Sequence, residues 1–135
     1  MKLTIFTGNQ PRHLGLINRL SEIADQTYVV CEVNTAFPGE VADFYQKSKI
    51  MQRYFKQVLI AERKYFGELR LISHVSGWLA VKHNDLSRLS PSQLSPALDS
   101  DVFVIFGSSY IKGWLIDFLV GKRAVNIHMG SSPYY

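Results

Sequence analysis

The sequence predicts an α/β protein built on a doubly wound, mainly parallel sheet, and three observations carry that reading. Residues 3–33 run strand, loop, helix, strand, which is a βαβ unit with its right-handed crossover. Val102-Phe103-Val104-Ile105-Phe106 is a continuous apolar run bounded by Asp101 and Gly107, the pattern of a strand covered by helices on both faces. A helical segment and another strand pattern follow it, so βαβ recurs, as an open wound sheet requires.

The elements follow in order. Leu3 to Thr7 reads as the first strand, broken by Gly8-Asn9-Gln10-Pro11. From Arg12 to Ala24 the period changes, and Leu16, Ile17, Leu20 and Ile23 fall on one helical face. Tyr28 to Val33 is β-rich and of strand length. Pro38-Gly39 punctuates a loop. Val41 to Phe66 is the longest helical pattern, with Phe44, Met51, Phe55, Val58, Leu59 and Glu62 recurring at threes and fours and Gly67 as its cap. Between Leu69 and His83, Leu71-Ile72 and Trp78 to Val81 are both candidate strands, the second the better one. Ser90-Pro91-Ser92-Gln93 is a helix start: Ser90 as N-cap, Pro91 at the first helical position, Gln93 closing a capping box. Pro96 keeps that helix short. Lys112 to Val120 reads as a helix ended by Gly121, and Ala124 to His128 as a final strand.

Composition bounds the function. At 135 residues one domain, 1–135, is the natural reading, and 47% hydrophobic against 19% charged residues excludes a disordered tail. A net charge of +4 suits an anionic ligand without the density that demands nucleic acid. The single cysteine, Cys31, excludes an internal disulfide framework and reads as a small buried residue in a strand. With no signal-peptide pattern and no apolar run long enough to span a bilayer, the expected place is the cytoplasm, away from membranes.

Wound sheets bind ligands beyond the carboxyl ends of their strands, where strand order reverses. That rule selects the loops Gly8 to His13, Gly107 to Gly113 and Met129 to Tyr135. The last strand supplies the sharpest pair. Asn126 and His128 are two apart, so in a strand both point to one face. An amide that can hydrogen-bond an oxyanion, beside an imidazole that can move a proton, suits acyl transfer. In the first loop Gly8, Asn9, Gln10 and Arg12, with His13, offer an anion site at a helix N-terminus; a plain turn explains the same residues. His13, His74 and His83 show no metal spacing with one another or with Cys31, and structural or surface roles are the default. Ser108, Ser109, Ser131 and Ser132 lack the elbow motif of a serine nucleophile.

Asn126-Ile127-His128-Met129-Gly130-Ser131-Ser132-Pro133-Tyr134-Tyr135 resembles the signature of the N10-formyltetrahydrofolate-dependent formyltransferases, and the apolar strand with its loop and the first βαβ unit resemble the same family. The resemblance spans nearly the whole chain and is specific in the last ten residues. It implies a Rossmann-like formyltransferase fold, incomplete at the C-terminus, and transfer of a formyl group from N10-formyltetrahydrofolate to a primary amine without a metal. Carried onto this chain, Asn126 hydrogen-bonds the formyl oxygen as a tetrahedral centre forms, and His128 assists the charge and the proton transfers. Gly107, Ser109, Tyr110 and Ile111 line the pterin pocket, while Gly8, Asn9, Gln10, Arg12, Ser132 and Tyr134 are the substrate-side candidates.

Two departures shape the expectation. The family's catalytic Asp lies well beyond the His, and none of Asp25, Asp43, Asp85, Asp99, Asp101 or Asp117 takes that place, so the chain reads as an enzyme fragment short of its full catalytic set. The first loop lacks the Gly/Ser-rich phosphate cradle of the purine-pathway members, which shifts the acceptor toward an amino-sugar nucleotide or a similar anionic amine. A folate- or nucleotide-binding relative without catalysis is the alternative. A further alternative is an RNA-associated protein using the segment from Lys47 to Lys64, which carries six basic residues and one acid. Such a run is more often a solvated helix face. Its aromatics, Tyr54, Phe55, Tyr65 and Phe66, read as core and boundary residues, tRNA is the one nucleic acid partner left open, and an unfinished sheet edge leaves room for self-association.

Overall fold

The computed structural model describes residues 1–35, 39–67 and 75–129. Five strands, β1 (Lys2–Gly8), β2 (Gln26–Val33), β3 (Gly77–Lys82), β4 (Val102–Phe106) and β5 (Val125–Ile127), form one sheet in the order β3-β2-β1-β4-β5. Every pairing is parallel, as expected of an α/β wound sheet. The chain steps outward from β1 to β2 and β3, then returns to place β4 on the other side of β1. Strand order therefore reverses between β1 and β4, and the register there pairs Thr7 with Phe106 at the carboxyl ends.

Alternation along the strands divides the core in two. Phe6, Val30 and Phe103 face one side and pack with Leu94, Ile111, Leu115 and Leu119 from the segments α3 (Pro91–Leu94), the loop after β4, and α4 (Trp114–Gly121). Leu3, Ile5, Val29, Cys31 and Val104 face the other and pack with Leu14 and Ile17 of α1 (Pro11–Ser21). Both sides of the central strands are thus covered, which is why β1, β2 and β4 read as near-continuous apolar runs. The buried hydroxyls of β1 are satisfied: Thr4 donates to the Ala97 carbonyl at 2.5 Å and Thr7 to the Phe106 carbonyl at 2.6 Å. The second of these ties the two strands together at the point of reversal.

Two predicted helix signals hold, while the helix expected over Lys112 to Val120 starts at Trp114 and takes in Gly121 as its last residue. Ser90 and Gln93 form the expected capping box, and Gly67, at φ 76°, closes the helix before it with its N–H on the Arg63 carbonyl at 2.9 Å.

Three expectations change. The long helical pattern from Val41 divides into a single turn, Phe44–Gln46, and α2 (Lys49–Phe66). Asp43 stands at φ 54° before that turn, and the Ser48 hydroxyl accepts from the Met51 N–H to begin α2 afresh. Helix α1 ends at Ser21, which leaves Ile23 beyond it and exposed. Helix α2 does not enter the core: it packs on α1, with Phe66 against Gly15, and Met51, Tyr54, Tyr65 and Phe66 remain exposed. Its one buried residue is Glu62. Leu71-Ile72 and His74 lie outside the described residues.

Candidate functional site

Beyond the carboxyl ends of β1, β4 and β5 lies a cavity of about 540 Å³. Its wall joins Arg12 and His13 at the start of α1, residues 105–111 from β4 and its loop, Ile116 of α4, and residues 126–129. It stands where strand order reverses, the position a wound sheet reserves for ligands. The fold thus brings together three groups of sequence candidates: Asn126 and His128, the loop residues Gly107, Ser109, Tyr110 and Ile111, and Arg12. Asn126 lies within β5 and His128 directly after it, and both are exposed. Ile105, Phe106, Ile116 and Ile127 give the wall an apolar character suited to a flat ring.

The loop after β4 is held by a carboxylate that sequence reasoning did not single out. Glu32, near the end of β2, is 3% exposed. It accepts the Ser109 N–H at 2.5 Å, the Ser109 hydroxyl at 2.7 Å and the Asn84 N–H at 3.0 Å. His83 Nδ1 stands 4.0 Å from Oε2, the oxygen that accepts the Ser109 N–H. Ser109 therefore lines the cavity with its hydrogen-bonding groups already directed at Glu32. Tyr110 stands almost free, and Ile111 turns inward to the core while bordering the cavity. A charged residue inside the apolar run Tyr28-Val29-Val30-Cys31-Glu32-Val33 was the signal available, since a lone carboxylate there needs partners.

The first loop divides its work. Asn9 is buried and its amide donates to the Thr35 carbonyl at 2.7 Å, joining the ends of β1 and β2. Gln10 is the N-cap of α1, with its N–H donated to His13 Nδ1 at 3.2 Å. The Arg12 guanidinium is paired with Glu62 of α2. Arg12 and Met129 also border a second cavity, of about 610 Å³, which Gln10, Glu40, Asp43, Lys47 and Glu62 help to line. Of the four first-loop candidates, Arg12 lies on the first cavity and Gln10 on the second, while Gly8 and Asn9 line neither. Ser132 and Tyr134 lie outside the described residues.

His13 is more deeply placed than a default surface histidine. Its ring is wedged between Gly8 and Gly107 and meets Phe106 edge-on, centroids 5.0 Å apart. A Cβ on Gly8 would stand 2.7 Å from Nδ1, and one on Gly107 would collide with Nε2, so both glycines make room for the ring. Burial, and secondarily the Arg12 charge, push the His13 pKa down to about 3. Its Nε2 is buried with no hydrogen-bond partner.

Among the described residues no group of three His, Cys, Asp or Glu side chains converges as a metal site, and no helix is long and apolar enough to cross a membrane. No family model, no curated protein and no solved structure matches the chain.

Proposed function

We propose that the chain is the folate-binding part of a formyltransferase of Rossmann-like fold, acting in the cytoplasm on a primary amine carried by an amino-sugar nucleotide or a similar anionic molecule. The observation that carries the reading is the shared cavity: Asn126 and His128, separated in sequence from Gly107–Ile111, border the same space at the strand-order reversal. The apolar wall, the glycine at 107 and the unpartnered His13 nitrogen fit a flat heterocycle with polar edges. When bound, N10-formyltetrahydrofolate supplies the formyl carbon. The Asn126 amide donates to an oxygen that gains negative charge, and the His128 imidazole takes up or returns a proton beside it. Glu32 fixes Ser109 and so the loop that borders the ring.

The test is to incubate the protein with N10-formyltetrahydrofolate and a panel of amino-sugar nucleotides, reading formylated product by mass, alongside calorimetry with 5-formyltetrahydrofolate as a stable probe. Product that disappears in Asn126→Ala and His128→Ala supports the reading. Folate binding without product keeps the folate-binding part and removes catalysis by this chain alone, and absence of both overturns the proposal.

One observation favours a second reading. On α2, Lys49, Arg53, Lys56 and Lys64 are exposed alongside Tyr54 and Tyr65, a surface with the charges and rings that single-stranded RNA uses. RNA affinity that falls steeply with salt supports it, and a flat salt dependence removes it.

A further inference from the structure

We propose that His13 is a ligand-binding residue of the first cavity, its Nε2–H donating to a carbonyl oxygen or ring-nitrogen acceptor of the bound molecule. This deepens the folate reading and rests on it for the identity of the ligand, while the donor itself follows from geometry.

The cap of α1 fixes which His13 nitrogen carries the proton. His13 Nδ1 accepts the Gln10 N–H, so that nitrogen carries its lone pair and no proton. Burial and the neighbouring Arg12 keep the ring neutral at physiological pH. A neutral imidazole has one proton, which must then sit on Nε2. Nε2 is buried, lies against Gly107 and has no partner. A buried donor left unpaired is costly, and folded proteins keep few of them. His13 borders the cavity with Phe106, Gly107, Asn126 and His128, so the unpaired donor is carried by a residue of the cavity wall, beside the candidate reactive pair. The cap alone does not call for histidine: glutamine or glutamate at this position of a helix accepts the same N–H.

That equivalence supplies the experiment. His13→Gln and His13→Glu both keep the acceptor for Gln10, and only glutamine also offers an N–H. With 5-formyltetrahydrofolate as probe in calorimetry, His13→Gln is expected to bind within a few-fold of the parent and His13→Glu about tenfold or more weaker. In the parent, 15N NMR should show His13 as the neutral, Nε2-protonated tautomer, and the probe should shift that Nε2–H. Binding of 5-formyltetrahydrofolate with an unmoved Nε2–H and equal affinity in both variants overturns the inference and leaves the folate reading standing. If that probe does not bind but formamide, a minimal carbonyl acceptor, moves the Nε2–H, the donor stands and the folate reading fails. A signal moved by neither probe overturns the inference, and the NMR arm decides even where a variant fails to fold.

Discussion

Replacing Glu32 by alanine should loosen the cavity at its anchor and measurably destabilise the protein. The carboxylate holds three donors, two of them backbone N–H groups from residues 84 and 109. Hydrogen bonds to a charged group contribute about 1.5–3 kcal/mol each. Ser109 is only partly buried and Asn84 is exposed, so water recovers a share, and removing a buried charge also relieves its desolvation. Taking the low end for three bonds and subtracting that relief leaves about 2–3 kcal/mol lost in Glu32→Ala. For a domain of this size that is about 6–12 °C in Tm. Glu32→Gln, which keeps the shape and one acceptor oxygen, should lose about half as much. Urea unfolding followed by circular dichroism, with Ser109→Ala added to make a double-mutant cycle, measures both the loss and the coupling. The coupling should be about 1 kcal/mol, because the two side chains share one bond. A Glu32→Ala variant within about 0.5 kcal/mol of the parent, or strict additivity with Ser109→Ala, refutes the clamp.

Three other outcomes follow from the same geometry. His13 titrates near 6.5 when unfolded and near 3 when folded, so the unfolded chain takes up the proton first; its contribution to stability is complete above about pH 6.5 and falls with pH, by about 2 kcal/mol at pH 5. Stability curves of the parent and His13→Gln should therefore diverge below pH 6.5, and parallel curves contradict the buried neutral ring. Cys31 is fully buried and its thiol is pushed up to about 12, first by desolvation and then by Glu32, so an aromatic disulfide reagent at pH 8 should label it only after urea is added; rapid labelling of the native protein would show that the strand opens. Gly107→Ala places a Cβ against His13 at φ 69°, and should destabilise by about 2–3 kcal/mol in the same urea assay, whereas a neutral result means the ring is not wedged there.

Much of the architecture was legible in the sequence because it is written locally. The runs of β1, β2 and β4, the box at Ser90-Pro91-Ser92-Gln93 and the glycine after α2 each depend on residues within a few positions of one another, and period and capping chemistry report them directly. The pair Asn126 and His128, and the loop 107–111, could be named as candidates since strand ends and the residues after them are the expected edge of a wound sheet. What failed did so where an apolar pattern met no partner. Tyr54 and Tyr65 repeat at helical spacing, yet α2 lies outside α1 and leaves them in solvent.

The sequence alone could not show who faces whom across long separations, and that is what the tertiary structure decided. Arg12 and Glu62 are 50 residues apart, and Glu32 and Ser109 are 77 apart. Glu62 sat in an apolar stripe without an evident reason until α1 brought Arg12 to it. His13 carried only the mark of a turn. Its depth, its single acceptor bond and its free Nε2 arise from the meeting of Gly8, which ends β1, and Gly107, which follows β4, two strands that become neighbours only when the sheet forms. Local periodicity reports the surface a segment prefers, while a buried charge or an unpaired donor takes its meaning from groups that chain folding delivers from elsewhere.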